Sequence, residues 1–188
     1  MFCTLLVSVS AEAFGHSQPV RLTDLISRIP REYNPHPGTA PCGDTHDVTE
    51  LRPEALANAF RFLKNHREIP FSYPYDGCYA RAHKMAQVLE DVGVQSSKIF
   101  VQTTGKLHLP KEAKVPADVD WSWHVAIMVL RDDGTTVTPM VLDPSTFDEP
   151  VTVERWVTEL SPLQNMTGVS TCSRFTYLIT DIEKPSWQ

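Results

Sequence analysis

Tyr73-Pro74-Tyr75-Asp76-Gly77-Cys78-Tyr79-Ala80-Arg81-Ala82-His83-Lys84-Met85 changes character at its middle. Before Cys78 stand turn-formers, Pro74 and then Asp76-Gly77; after it an uninterrupted helical pattern runs from Tyr79 to Asp91. Ala82, Met85, Ala86, Leu89 and Val92 share one face at helical spacing, and Gly93 stands where a helix stop is expected. The stretch predicts a loop feeding a buried helix, with Cys78 at or just before the first turn. A thiol there meets unpaired backbone N–H groups and the positive end of the helix dipole, which favour thiolate over thiol. A small buried cysteine with no chemistry fits the same place. Partners decide between the two.

Those partners are sought in the segment Trp121–Pro144. Trp123 to Leu130 reads as a strand, Asp132-Asp133-Gly134-Thr135 as a tight turn, and Val137 to Asp143 as the return strand. With Asp133-Gly134 at the two central turn positions, His124 lies directly opposite Asp143. Opposed residues share a face, with Cβ atoms about 4.5–5.5 Å apart. A bulge in the loop would shift the register by one and break that match. Ala126, Met128 and Val141 fall on the His124 face and Val125, Ile127 and Leu142 on the other, so the sheet is expected to be buried on both sides. A histidine in an apolar strand is often a satisfied core residue. A carboxylate opposite it points towards function, because it can fix the tautomer and stabilise an imidazolium while the other nitrogen serves a thiol. Cys78, His124 and Asp143 then form a nucleophile, base and orienting acid. Trp121 and Trp123 either line a cleft beside His124 or pack into the core. His83, five residues after Cys78, does not stack on its helix face and reads as structural.

The rest of the chain sets bounds. Its 188 residues suit one domain, and 41% hydrophobic with 21% charged is the composition of a soluble globular protein. A net charge of -6 without a basic run argues against a nucleic-acid surface. No apolar stretch is long enough to span a membrane. Cys3, Cys42, Cys78 and Cys172 lack zinc-site spacing, and with Cys78 set aside at most one disulfide can form among the other three. Residues 1–13 suit either a signal-like segment without a basic start or a strand alternating at Val7, Val9 and Ala11. Leu22, Leu25, Ile26 and Ile29 predict a short helix ending at Pro30, followed by a Pro-rich loop over 30–49. His36, Asp44, His46 and Asp47 in that loop have no ligand spacing and read as solvated polar groups rather than a metal site. A helix is expected from Pro53 to His66 with Leu56, Ala59, Phe60 and Leu63 inward, then a strand from Lys98 to Thr103. A long, polar, mobile loop is expected over 104–120, a helix over Thr152–Leu160 and a last strand over Arg174–Ile182. Asn165-Met166-Thr167 matches a glycosylation sequon, a pattern that recurs by chance.

Taken together these motifs resemble a known family. Tyr73–Met85 closely resembles the nucleophile segment of bacterial protein-glutaminases, the protein-glutamine deamidases. Trp121-Ser122-Trp123-His124-Val125-Ala126-Ile127 resembles their base-bearing strand; Leu142-Asp143-Pro144-Ser145 with Phe147, Pro150-Val151-Thr152 and Trp156 resembles their acid segment. The resemblance implies an α+β fold with a papain/transglutaminase-like core, the nucleophile at the N-terminus of a helix packed on an antiparallel sheet carrying His and Asp. It implies Cys78, His124 and Asp143 as the triad, with the Cys78 backbone N–H on the oxyanion. Tyr75, Asp76, Trp121 and Trp123 are the candidate lining of the substrate cleft, and neither metal nor organic cofactor is expected. The expected partner is a protein or peptide with an exposed glutamine, met by a monomer that binds neither nucleic acid nor membrane. A secreted bacterial enzyme or a delivered effector is implied, although known members are cysteine-rich and this chain is not. Residues 1–50 are set apart as an N-terminal segment (a prosegment, a signal remnant, or an added strand and helix with the Pro-rich loop) and 51–188 as the catalytic domain. The same triad would serve a transglutaminase or a cysteine protease, and the scaffold would serve a catalytically silent binding module.

Overall fold

Among the described residues, three amphipathic helices form where the apolar spacing places them. In the computed structural model, which describes residues 20–21, 47–74, 77–116, 119–161 and 165–174, helix α1 spans Pro53–Lys64. Proline suits its first position, Glu54 sits at its positive end, and Arg61 and Lys64 sit at its negative end. Helix α2 spans Cys78–Glu90, beginning on the cysteine itself, and buries Cys78, Ala82, Met85, Ala86 and Leu89 together with Arg81 and Val88. Helix α3 spans Val153–Leu160 and is capped by Thr152, whose hydroxyl accepts from the Arg155 N–H at 3.2 Å.

The strands are β1 (Val20–Arg21), β2 (Asp47–Val48), β3 (Glu50–Leu51), β4 (Ser97–Thr103), β5 (Trp123–Asp132), β6 (Val137–Leu142), β7 (Val151–Thr152) and β8 (Met166–Ser173). β1 and β2 form a small antiparallel ladder of their own. The main sheet has the order β7-β6-β5-β4-β8, antiparallel throughout, and β3 pairs parallel with the end of β5 beyond the reach of β4. α2 packs on β5. Val125 to Leu130 are all at most 2% exposed, so the sheet centre is covered on both faces, as the two apolar sets of the hairpin predict. The architecture is α+β, as expected.

Three departures have physical causes. The β5–β6 register runs from Ile127–Leu142 to Asp132–Val137, and the Asp133 N–H donates to the Thr136 carbonyl at 3.2 Å. The central turn residues are therefore Gly134-Thr135, not Asp133-Gly134. Gly134 has φ 93, the left-handed backbone that a Gly-first two-residue loop requires. The Asp133 carboxylate holds this turn through the N–H groups of Thr135 and Thr136. Continuing the observed register sets Asp143 opposite Ala126, so the direct opposition of His124 and Asp143 is corrected to a diagonal. The displacement is two residues, which preserves the face; a shift of one would have reversed it.

The last strand described is β8, which pairs along the whole of β4. The expected strand over 174–182 lies outside the described residues save for Arg174. β8 is rich in Thr, Ser and Gly and lacks apolar alternation; it forms because β4 offers it a ladder. The polar connection expected over 104–120 is tied down at several of its described residues. Leu107 and Val115 are buried, and backbone bonds run from Leu107 to Trp121, His108 to Leu160 and Lys114 to Ser145. The readings of residues 1–13, of the Leu22–Ile29 helix and of the Pro-rich loop up to residue 46 lie outside the described residues.

Candidate active site

Cys78 is delivered by a loop of tight turns. Phe71 N–H donates to Ile69 O, Tyr73 N–H to Pro70 O, and the first helical bond of α2 runs from Arg81 N–H to Gly77 O at 2.9 Å. Cys78 is 6% exposed, faces the sheet and is the free cysteine among the described residues. Cys172, on β8, is disulfide-bonded, with its partner outside the described residues. Tyr75 and Asp76, two of the expected cleft residues, also lie outside them.

His124 is the second residue of β5, opposite Val101 on β4, and is 1% exposed. Its Nε2 lies 2.9 Å from Asp143 Oδ2, and Asp143 is itself 2% exposed. Since Asp143 occupies Nε2, the interaction of the ring with the Cys78 thiol falls to Nδ1, which is buried and has no conventional hydrogen-bond partner. The contact is thus loose. Burial pulls the imidazole pKa down, but the charge and hydrogen bond of Asp143, aided by Cys78, outweigh it and raise it to about 9. Burial likewise pushes the Asp143 carboxyl up, and His124, Ser145 and Thr146 outweigh that effect and hold it well below the usual carboxylate range. The Asp143 carboxylate therefore favours the imidazolium form of the ring.

Five donors converge on Asp143. Oδ1 accepts from the Ser145 N–H at 3.3 Å and the Ser145 hydroxyl at 2.5 Å. Oδ2 accepts from His124, from the Thr146 hydroxyl and from the Trp156 indole N–H at 3.0 Å. Ser145, Thr146 and Trp156 were not singled out as site residues by sequence reasoning. A signal existed for the first two, because hydroxyl residues two and three positions after an aspartate commonly fold back on it. For Trp156 the signal was weaker: a fully buried indole needs an acceptor for its N–H, and nothing in the α3 pattern says which.

The two flanking tryptophans part company. Trp121 stacks on His124 with ring centroids 5.2 Å apart and planes 8° apart, and its indole N–H donates to the Pro74 carbonyl at 3.1 Å. It thereby links the His124 ring to the loop before Cys78. Trp123 pairs with Gln102, and strand alternation turns it to the face opposite His124, where it packs half-buried against the core. His83 is half-buried further along α2, 3.3 Å from both Gln87 and Lys98, away from the His124–Asp143 pair. Among the described residues no group of three or more His, Cys, Asp or Glu is arranged to hold a metal.

Residues 56–160 match a family model described as glutaminase. No curated protein sequence matches the chain. Among solved structures, a protein-glutaminase is 30% identical, with 70% of this chain and 76% of that one covered and a TM-score of 0.58. A protein-glutaminase from Chryseobacterium proteolyticum is 29% identical over 66% of this chain and 73% of its own, with a TM-score of 0.55. A mutant pro-protein-glutaminase, 30% identical over 69% of this chain, has a TM-score of 0.58, and the chain spans 50% of its length.

Proposed function

The chain belongs to the glutaminase family, and from that premise we propose that it hydrolyses the side-chain amide of protein- or peptide-bound glutamine to glutamate and ammonia. Cys78 is the nucleophile. The proton of the Cys78 thiol rests on His124 Nδ1, a protonated form that Asp143 favours, and the thiolate sulfur attacks the γ-carboxamide carbon. The resulting oxyanion is received by the Cys78 backbone N–H, one of the first-turn donors of α2 without a helical partner. The imidazolium gives its proton to the departing nitrogen, ammonia leaves, and a thioester remains. His124 then takes a proton from water, hydroxide adds to the thioester carbon, and sulfur departs with glutamate formed. Asp143 keeps Nε2–H pointed at itself throughout, so that Nδ1 is the nitrogen that exchanges protons.

One observation supports this reading above the others: a buried imidazole whose Nε2 is committed to a carboxylate while its Nδ1 is left to a thiol at a helix start. An inert core has no need of that arrangement, because an unpaired buried nitrogen costs about 1–3 kcal/mol. The test is ammonia release from casein and from a short blocked glutamine peptide, wild type beside Cys78→Ala, with mass spectrometry on the products. The expected result is a +1 Da shift at glutamine in the wild-type reaction, absent in a folded variant. Normal turnover by the variant removes Cys78 from the mechanism. New peptide ends without ammonia would assign the site to a protease, and cross-links formed together with ammonia release would assign it to a transglutaminase.

A further inference from the structure

Arg81 is the side chain near Cys78 that this mechanism leaves unused. It is 3% exposed, three residues after Cys78 on α2, and its buried Nη2 has no hydrogen-bond partner. Nη1 donates to the Tyr73 carbonyl at 2.7 Å. A buried guanidinium normally takes a carboxylate in a forked pair, since its desolvation is costly. Among the described residues the nearby acids are committed elsewhere. Glu68, at the edge of the cleft of about 340 Å³ that Arg81 also lines, pairs with Lys84 at 2.8 Å. Both oxygens of Asp143 are taken by its own five donors.

We propose that Arg81 is a positioning residue for Cys78: its guanidinium pins the loop that delivers the nucleophile and holds a fixed positive charge beside the thiol. The proposal rests on Cys78 being the nucleophile. Two geometric facts support it. The bond to Tyr73 O spans the turn from the loop to the helix, closing it across Gly77. Gly77 is also needed for this approach, because a Cβ there would lie 2.6 Å from Arg81 Nη1 and 3.3 Å from the Tyr73 ring. Burial lowers the Arg81 titration, and Asp143 from the turn after β6 and then Cys78 on its own helix oppose that effect. His124 approaches Cys78 from β5. Thiolate and later oxyanion charge thus develops beside a cation to which no carboxylate among the described residues is hydrogen-bonded. Arg81 contacts no reacting atom in this arrangement. It acts through the state and placement of Cys78.

The experiment is the pH profile of iodoacetamide alkylation at Cys78, resolved by peptide mass spectrometry on the full chain, for wild type, Arg81→Met, Arg81→Lys and Gly77→Ala. Each variant is first checked for a native melting transition. Loss of an opposite charge within about 4–6 Å shifts a titration by about 1 unit or more. The alkylation midpoint of Arg81→Met is therefore expected to rise by about that amount, with about tenfold slower alkylation below it. Arg81→Lys retains part of the effect, and kcat falls more than KM changes. A folded Arg81→Met whose profile superimposes on wild type overturns the proposal. If Arg81→Met does not fold, Gly77→Ala decides, since it displaces a side-chain end while keeping the charge: a raised midpoint supports the proposal and an unchanged one overturns it. The readout needs no substrate, so wild-type failure to release ammonia would count against the deamidase reading and leave this result standing.

Discussion

Asp143→Asn isolates the charge on which His124 depends. All contacts of the Asp143 carboxylate are donors, so an amide must turn its NH2 towards one of its two sides. The Ser145 side is the cheaper, because the Ser145 hydroxyl can rotate to accept. The amide oxygen then still accepts from His124 Nε2, so the tautomer survives and the negative charge does not. In the wild type the imidazole is raised from 6.5 to about 9, which is worth about 3 kcal/mol at about 1.4 kcal/mol per unit. Without the charge, burial dominates and lowers the titration instead. Ammonia release is expected to slow by about two to three orders of magnitude, since the imidazolium that protonates the leaving nitrogen is destabilised by that amount. Stability carries the same signature. A raised His pKa stabilises the fold fully below the unfolded value of 6.5, and the contribution drains away as pH rises through about 9. The depressed Asp143 carboxyl stays ionised across this window, its own contribution being lost only in acid. Urea unfolding of wild type should therefore weaken by about 3 kcal/mol between neutral and alkaline pH, a slope that Asp143→Asn lacks. An NMR titration of the His124 ring reads the same shift directly. A variant within tenfold of the wild-type rate, or equal slopes for both proteins, would refute the reasoning.

Trp156→Phe keeps an aromatic ring, deletes the indole donor to Asp143 and leaves a cavity where the second ring of the fully buried indole packed, which adds to the loss. A hydrogen bond to a charged group is worth about 1.5–3 kcal/mol, so urea unfolding should show a loss of at least that size together with a reduced kcat; unchanged stability would mean that the contact contributes nothing. Gly134→Ala forces a side chain onto a backbone with φ 93, at the hairpin end remote from His124. It should cost about 1–2 kcal/mol in unfolding experiments while ammonia release stays at the wild-type rate. A large loss of activity in a folded Gly134→Ala protein would mean that the turn governs the site register more tightly than face parity requires. Thr152→Ala removes the α3 cap and should cost about 1 kcal/mol by the same assay.

The helices were legible because their signal is local. Pro53, the apolar spacing of α1 and α2, and Thr152 before α3 set chain direction and inward faces within a few residues, as does the apolar run of β5. The His124–Asp143 association was legible too, although by parity rather than by the register drawn from Asp133-Gly134. Any even displacement of a hairpin keeps the two residues on one face, and a long imidazole spans the diagonal. What the linear chain could not carry is information that belongs to pairs distant along it. β8 is a strand because β4 presents an open edge, and β3 pairs with β5 where β4 ends. Trp156 reaches Asp143 from a separate helix, Trp121 bridges His124 to the Pro74 carbonyl, and Arg81 is buried three residues after Cys78 with no hydrogen-bond partner for its Nη2. By itself the sequence determined helices α1 to α3 and the β5–β6 hairpin, their buried faces and the residue types able to act as nucleophile, base and acid. Tertiary structure alone decided which donors surround each charge, because desolvation and hydrogen-bond satisfaction depend on every group packed nearby and not on order along the chain.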